Sequence, residues 1–239
     1  MKSKCVLITG TTNGIGKKLK DIYLANKFKV ISINRKNSIL NNIPFHYNFN
    51  IDITNEKEVI NLFKDFDKLG LFPKIFIFNA GINKTDFKKN FNLKNFNETI
   101  STNFLSINYF CNQINKKNIN KKTIIFISSF STIFYNKNNM GYYVSKKLLN
   151  RYFETTIKEY PYNLYKLVSL GPVNTKIKRY IEDEKKINKL FFSLLSIDSF
   201  KAAQKIYEFS HTKKLTLNYP FKVYLFYRFC GFLKSFINR

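Results

Sequence analysis

The chain has 239 residues, which is enough for one sizeable α/β domain. Its formal charge of +26 is mostly dispersed Lys, enriched together with Asn, Ile, Phe and Tyr, so we attribute it to AT-rich coding and expect no nucleic-acid partner. Three cysteines without metal-ligand spacing, no membrane-spanning run and no secretory signal predict a reduced, cytoplasmic protein without a metal site.

Short apolar segments alternate with helical patterns along the chain. The predicted strands are 4–9, 28–33, 46–51, 74–79, 122–128, 165–170 and 214–218. The predicted helices are 14–26, 55–69, 94–118, 140–160 and 198–210, with Asn55 and Glu58 as a cap pair for the second helix. This alternation predicts an α/β fold with a doubly wound parallel sheet of the Rossmann type. We expect a single catalytic domain, 1–219, followed by an amphipathic helix, 220–239.

A glycine-rich segment, TGTTNGIG at 9–16, follows the first predicted strand and opens the first predicted helix. Gly10 would permit a tight turn, Gly14 would let the backbone approach a pyrophosphate, and Gly16 would let the helix pack closely on the strand. This layout also presents backbone N–H groups to a phosphate. A glycine pattern alone can equally mark an ordinary strand-to-helix turn, so the assignment depends on the rest of the chain.

Five further segments follow in order: NAG at 79–81, Asn103, ISS at 127–129, YYVSK at 142–146 and GPVNT at 171–175. Together with the TGxxxGIG spacing, they resemble the short-chain dehydrogenase/reductase superfamily over about residues 4 to 210. The extended branch of that superfamily, which includes sugar epimerases, has TGxxGxxG. Because Asn13 stands in place of that glycine, the resemblance favours the short branch.

Tyr142 and Lys146 lie one turn apart on the helix predicted over 140–160. A phenol has a pKa near 10, so it works as an acid or base near neutrality only if a neighbouring cation stabilises the phenolate. A second pair with this spacing is Tyr143 and Lys147. In the family, the catalytic serine precedes the tyrosine by about thirteen residues, and that position holds Ser129 only for the Tyr142 pair.

The resemblance also implies the roles of the other site residues. Ser129 would hydrogen-bond the substrate carbonyl oxygen, and Asn103 would hold a water that links Lys146 to solvent. Asn79 would steady the sheet behind the nicotinamide. The predicted catalytic set is Asn103, Ser129, Tyr142 and Lys146. The predicted cofactor-binding set is Gly10, Thr12, Asn13, Gly14, Ile15, Gly16, Asn34, Arg35, Asp52, Ile53, Asn79, Ala80, Gly81, Tyr142, Lys146, Gly171, Pro172, Val173 and Thr175.

The end of the second strand bears on which nicotinamide cofactor is used. NAD-specific members carry a carboxylate there, which accepts from the ribose 2′-OH. Here the strand ends at Asn34 and continues into Arg35 and Lys36, without an acidic residue. A guanidinium suits a 2′-phosphate, so we predict NADP(H) rather than NAD(H). Asp52 matches the position that faces the adenine amino group, although an ordinary strand-end aspartate would look the same.

The leading functional hypothesis is an NADP(H)-dependent oxidoreductase that interconverts a small-molecule carbonyl and an alcohol by hydride transfer. Two alternatives stay open: a non-catalytic NADP(H)-binding redox sensor or scaffold, and a sugar-modifying enzyme of polysaccharide biosynthesis. The complete catalytic set favours the enzyme over the sensor. By resemblance, the segment at 176–196 would grip the substrate as a mobile lid. Leu170 replaces the proline that the family has before GPVNT, so we expect a less rigid loop there.

The last twenty residues, 220–239, divide into two halves when they are placed on a helix, and only Lys222, in the first turn after Pro220, breaks the pattern. The apolar half contains Val223, Leu225, Phe226, Phe229, Cys230, Phe232, Leu233, Phe236 and Ile237. The other half contains Tyr224, Tyr227, Arg228, Gly231, Lys234, Ser235, Asn238 and Arg239. The apolar half could pack on the chain's own core, cover a homodimer interface, or lie on an anionic membrane surface. Arg228, near the middle, argues against a spanning helix.

Overall fold

A parallel sheet of seven strands lies at the centre of the computed structural model, which describes residues 4–35, 44–87, 89–116, 121–133, 137–175 and 195–237. The strands are β1 (Cys5–Thr9), β2 (Lys29–Asn34), β3 (His46–Asn50), β4 (Ile75–Phe78), β5 (Thr123–Ser129), β6 (Leu164–Leu170) and β7 (Thr216–Tyr219). Their order is β3-β2-β1-β4-β5-β6-β7. The order reverses between β1 and β4, so the carboxyl ends of these two strands form the crevice in which such sheets bind ligands.

Helices cover both faces of the sheet. They are α1 (Gly14–Ala25), α2 (Glu56–Lys68), α3 (Leu93–Ile100), α4 (Ser106–Lys116), α5 (Met140–Glu159), α6 (Ser199–Ser210) and α7 (Phe221–Ile237). The helix predicted over 94–118 is divided by a π-helical turn, Ser101–Leu105. The predicted cap of α2 is confirmed, because the Asn55 side chain accepts from the backbone N–H of Lys57 and Glu58.

Two hydrophobic cores lie on opposite sides of the sheet. In β1, Cys5 and Leu7 face one core, which α2, α4 and α5 cover, whereas Val6 and Ile8 face the other, which α1 and α6 cover. Because both faces are buried, the central strands are continuous apolar runs rather than alternating ones. The fold is therefore the predicted Rossmann-type α/β domain.

The C-terminal helix α7 follows β7 and turns its tyrosines, not its apolar half, toward the domain. The rings of Tyr224 and Tyr227 lie 5.5 and 5.7 Å from the ring of Phe130. Leu225, Phe226, Phe229 and Phe232 are exposed, and Val223 and Cys230 are half-buried. Of the three alternatives for the apolar half, packing on the chain's own core therefore does not apply to Leu225, Phe226, Phe229 and Phe232. Within the described ranges, none of the helices combines the length and apolar composition needed to cross a bilayer.

Candidate active site

The glycine turn between β1 and α1 requires its glycines. Gly10 and Gly14 have positive φ angles of 73° and 55°, a region that L side chains rarely adopt. Gly16 faces the turn so closely that a Cβ would lie 2.0 Å from the Gly10 carbonyl oxygen and 2.5 Å from Asn79 Nδ2. The tight turn and the close packing of α1 predicted from the sequence are both present.

The amino end of α1, next to this turn, has no side-chain cap. Asn13 is the N-cap residue, but its side chain makes no capping hydrogen bond, and no acidic residue lies in the first turn. Thr12 and Asn13 are exposed, whereas Ile15 packs on the core beside α1. Uncapped N–H groups at a helix amino end favour an anion, so this end suits a phosphate.

The loop at 171–175 lies against the glycine turn. A Cβ on Gly14 would be 3.2 Å from Thr175 Cγ2, so Thr175 borders the same space as the α1 amino end. Gly171 N donates to Tyr219 O, and Ile197 N donates to Pro172 O, both at 2.9 Å. Val173 pairs with Ile197 as an isolated bridge. These backbone bonds hold the loop on two sides, although the family proline is missing. The proposed substrate-gripping segment lies outside the described residues, apart from its last two positions.

Asn79 joins the end of β4 to the glycine turn. Its Nδ2 donates to the carbonyl oxygens of Thr9 and Gly10, both at 3.1 Å. Thr9 Oγ1 accepts from the backbone N–H of Asn79 and of Ala80. This network positions Gly10 and leaves Ala80 against it, with the Ala80 Cα 3.0 Å from where a Gly10 Cβ would be. Asn79 therefore has the structural role that the resemblance implies.

At the end of β2, the side chain of Asn34 is already engaged. Its Oδ1 accepts from Thr11 N at 2.8 Å, and its Nδ2 donates to Asn48 Oδ1 at 2.8 Å. Asn34 thus fixes the glycine turn rather than presenting its amide to a ribose. Arg35 follows it and is exposed, and Lys36 lies outside the described residues.

Two other predicted cofactor-binding residues, Asp52 and Ile53, differ in exposure. Asp52 is exposed, and its Oδ1 accepts from the backbone N–H and the hydroxyl of Thr54, so it makes a local turn as well as facing solvent. The Ile53 side chain is buried in the core beside α2. Only the backbone of Ile53 can therefore contact a cofactor. Matching a sequence position to a family motif does not reveal whether the backbone or the side chain makes the contact.

Tyr142, Ser129 and Lys146 come together where β5 ends and α5 begins. The Ser129 side chain lies close enough to the Tyr142 phenol to lower the pKa of that phenol. Lys146 Nζ lies 5.7 Å from the centroid of the Tyr142 ring and donates to Ile127 O at 2.8 Å. The alternative pair, Tyr143 and Lys147, has the same 5.7 Å separation, but Lys147 is exposed. The geometry therefore favours Tyr142 and Lys146.

The titration of both groups is shifted by burial. Burial raises the pKa of the Tyr142 phenol above its usual value, and the neighbouring Ser129 side chain opposes this in part. Burial lowers the pKa of Lys146 to about 8. At neutral pH the phenol is protonated and can donate a proton, while the lysine is still mostly an ammonium that can stabilise the phenolate.

Asn103 lies in the π-helical turn and is fully buried. Its Nδ2 donates to Ile82 O and to Ser145 Oγ, and its Oδ1 accepts from Ile82 N. Both amide hydrogens are used, so Asn103 can join a proton relay only as an acceptor. A Cβ on Gly81 would lie 3.2 Å from Asn103 Oδ1 and 3.8 Å from Lys146 Nζ. The space in front of Gly81 therefore borders the catalytic lysine.

Sequence patterns miss Asp86, which is buried at the amino end of α5. Its Oδ1 accepts from Met140 N at 2.9 Å and its Oδ2 accepts from Gly141 N. The N-cap residue itself, Asn139, makes no side-chain capping bond. Asp86 therefore caps the catalytic helix from a distant loop, immediately before Tyr142.

The sequence profile of the short chain dehydrogenase family matches residues 4–186. The chain belongs to this family. A short-chain dehydrogenase from Streptomyces avermitilis is similar, with a TM-score of 0.79 and 17% identity over 100% of this chain and 94% of that one. A short chain dehydrogenase from Burkholderia cenocepacia in complex with NADP has a TM-score of 0.76 and 18% identity over 90% and 87%. A 4-hydroxyisoleucine dehydrogenase complexed with NADH has a TM-score of 0.67 and 21% identity over 84% and 99%. No curated protein sequence matches significantly.

The short-chain dehydrogenase site has the features that a nicotinamide dinucleotide needs. The uncapped α1 amino end and the side-chain-free turn at Gly10 and Gly14 suit a pyrophosphate. Gly81 leaves space beside Lys146 on the path toward Tyr142. The residues present therefore fit an NAD(P) cofactor.

Proposed function

We propose that this short-chain dehydrogenase interconverts a small-molecule carbonyl and an alcohol with NADP(H). The observation that carries the proposal is that Ser129 and the buried Lys146 both lie beside the Tyr142 phenol. A binding-only protein would have no need for a hydroxyl and a buried ammonium beside one phenol. This set therefore supports an oxidoreductase over a redox sensor or scaffold.

In the reductive direction, each residue has one task. Ser129 hydrogen-bonds the carbonyl oxygen and orients it next to the Tyr142 hydroxyl. Tyr142 donates its proton to that oxygen as the oxygen gains negative charge, and Lys146 stabilises the phenolate that remains. Asn103 can accept a hydrogen bond from a water that returns a proton through Lys146. When bound, the nicotinamide cofactor supplies or accepts the hydride.

The preference for NADP(H) rests on this chain's own residues, since similar folds occur with NADP and with NADH. Arg35 is exposed directly after β2, and the Asn34 amide beside it is occupied by Thr11 and Asn48. Glu98 lies within electrostatic range of Arg35, but Lys84 pairs with this carboxylate and lowers its pKa. The Arg35 guanidinium is therefore available to a 2′-phosphate.

Cytoplasmic location and homodimer formation stay predictions. The three cysteines are free thiols, and Cys5 and Cys111 are buried, which agrees with a reducing compartment.

Turnover tests the proposed chemistry most directly. Tyr142→Phe should lower the rate of NADPH oxidation with a panel of ketones and aldehydes by about a hundredfold or more, because only the proton donor is lost. NADPH binding should be nearly unchanged, since the ring still packs. The measurements are the decrease in NADPH absorbance and a fluorescence titration of NADPH.

Tyr143→Phe is the matched control, because Tyr143 makes the same contact with Lys147 on the exposed side of α5. This variant should keep the wild-type rate. If Tyr142→Phe retains more than about a tenth of the rate, or if both variants lose it equally, the proposed role of Tyr142 is wrong.

Cofactor choice is tested at Arg35. Arg35→Asp should raise the KM for NADPH by about thirtyfold relative to NADH, since a charge-assisted pair contributes roughly 2 kcal/mol. The matched control is Arg151→Asp, which makes the same change at an exposed arginine of α5. An unchanged ratio of the two KM values in Arg35→Asp would mean that Arg35 does not contact the 2′-phosphate.

A further inference from the structure

The outer face of α7 carries large apolar side chains in solvent. Phe221, Phe229 and Phe232 are each exposed by 60% or 61%, Leu225 by 51% and Phe226 by 42%. The opposite face of the helix contacts the domain through Tyr224 and Tyr227. A run of exposed aromatic residues on one side of a helix is unusual for a surface that faces only water.

One positive charge borders this apolar face, and a second lies within it. Lys222 and Arg228 are exposed, and residues 221–237 contain no Asp or Glu. At about 100° per residue, Lys222 falls between Phe229 and Phe226 around the helix, and Arg228 falls next to Phe221. The exposed surface of α7 thus combines large apolar side chains with two cationic side chains that are long enough to extend beyond them.

We propose that the outer face of α7 binds the surface of a bilayer that contains anionic phospholipid. The helix would lie in the interface with its Phe and Leu side chains among the acyl chains, while Lys222 and Arg228 reach the phosphates. With 17 residues the helix is about 25 Å long, so several apolar side chains can enter the bilayer together. The formal charge of +26 adds long-range attraction to such a surface.

A second copy of the chain fits this face less well. Two copies that meet through α7 would bring Lys222 and Arg228 of each chain into one interface, between molecules that each have a formal charge of +26. No acidic residue of α7 could neutralise them. Anionic lipid offers both an apolar interior and the opposite charge, so it matches both properties of the face.

The helix also borders the catalytic site. Phe130, which follows Ser129, contacts Tyr224 and Tyr227, and it lies about 3.1 Å from where a Cβ on Gly171 would be. The lipid contact itself is independent of the proposed reaction. If the proposed function also holds, docking would bring the Ser129 side of the site near the bilayer, where an apolar carbonyl compound would be concentrated.

Vesicle co-sedimentation of the full chain tests the proposal without measuring turnover. The wild type should bind phosphatidylcholine vesicles that contain phosphatidylglycerol, and bind pure phosphatidylcholine much more weakly. Leu225→Glu/Phe229→Glu should weaken partitioning by about a hundredfold, because each side chain contributes roughly tenfold when it leaves water.

The matched control is Leu69→Glu/Phe72→Glu. These residues have the same side chains, are 59% and 68% exposed, and precede the amino end of the central strand β4, whereas α7 follows the carboxyl end of β7. This control should bind within about threefold of the wild type, since its two new charges lie far from the bilayer. Thermal unfolding followed by circular dichroism should show that both double variants are folded.

Equal binding of the wild type and Leu225→Glu/Phe229→Glu would overturn the proposal, as would a wild type that does not bind anionic vesicles. Sedimentation velocity tests whether a second copy of the chain, instead of lipid, covers this face. The wild type could instead be a dimer that does not bind vesicles. If Leu225→Glu/Phe229→Glu converts this dimer to a monomer and the control does not, the apolar face of α7 binds a second copy.

Discussion

Asp86 fixes the start of α5, the helix that carries Tyr142 and Lys146. Its carboxylate is fully buried and accepts from the backbone N–H groups of Met140 and Gly141. A Cβ on Gly141 would lie 2.9 Å from Asp86 Oδ2, so the contact also needs the glycine. Because Tyr142 is the next residue, we expect this cap to fix the position of the phenol relative to Ser129. Asp86 is a positioning residue for the site.

We therefore expect Asp86→Asn to lower kcat by tenfold to roughly a hundredfold, because a small displacement of a catalytic group has effects of that size. An amide has only one accepting oxygen, so one of the two N–H groups loses its partner, and the free energy of unfolding should fall by about 1–3 kcal/mol. The Kd for NADPH should change little. Kinetics, a binding titration and denaturant unfolding measure the three quantities.

Asp198→Ala separates positioning from loss of stability. Asp198 is the N-cap residue of α6, and its Oδ1 accepts from Phe200 N at 2.7 Å and Lys201 N at 3.2 Å, away from Tyr142. It should lower stability by about 1 kcal/mol and leave kcat unchanged. If the kcat of both variants follows their stability, Asp86 has only a structural role.

The sequence identifies some of these residues and not others for a physical reason. Tyr142 and Lys146 are four residues apart, so helical spacing reveals them, whereas Asp86 lies 54 residues before Met140, whose N–H it accepts. Ile53 and Asn34 were predicted from their positions relative to a motif. Such matches fix the backbone location but not whether the side chain points into the core or to a neighbouring turn.

At the scale of elements, the strands follow from the apolar runs. Both faces of the sheet are covered, so β1, β4 and β5 are continuously apolar, and residues such as Gly10 and Asn55 mark the turns between elements. The edge strand β3 is weaker, with the sequence HYNFN, and is only half-buried along most of its length. Its hydrophobicity alone is a weak signal, so its prediction relies on the alternation of strands and helices along the chain.

The π-helical turn at Ser101–Leu105 could not be predicted from periodicity. The apolar pattern continues from α3 into α4, so it indicates one helix over 94–118. The turn with i→i+5 bonds lies at Asn103, whose amide is held by Ile82 and Ser145. Such turns occur often at functional sites, where they allow one side chain to depart from helical spacing.

For α7, periodicity located the two halves but not which of them faces the domain. The tyrosines turn inward because Phe130 offers their rings an aromatic partner, while the more apolar half stays outside. An amphipathic pattern predicts that two faces differ. It does not predict which partner each face meets when the chain offers more than one apolar surface.

At the scale of the whole molecule, buried titratable groups link stability to pH. Lys146 and Lys166 are buried, and burial lowers the pKa of each to about 8 from 10.5. Lys166 Nζ donates to the carbonyl oxygens of Phe209 and Thr212, at 2.7 and 2.6 Å, and so closes the carboxyl end of α6. Burial raises the pKa of the thiols of Cys5 and Cys111 from 9.0 to about 12.

These shifts predict a free energy of unfolding that rises from about pH 8 to pH 9. In that interval the folded state releases protons from its two lysines, whose pKa is about 8, while the unfolded state, with a pKa of 10.5, keeps them. Above pH 9.0 the unfolded thiols lose protons that the folded state retains, which cancels the rise. The raised pKa of buried tyrosines such as Tyr23 then lowers stability above their usual value of 10.0.

Urea unfolding measured at closely spaced pH values checks this profile, and Lys166→Met isolates one contribution. Each proton difference changes the free energy of unfolding by about 1.4 kcal/mol per pH unit, so removing Lys166 should flatten the rise by up to that amount, whatever its effect on absolute stability. Lys205→Met, at an exposed lysine whose pKa is raised by Glu208, should leave the rise intact. A flat wild-type profile from pH 8 to 9, or an unchanged slope in Lys166→Met, would show that burial does not hold these lysines below their usual pKa.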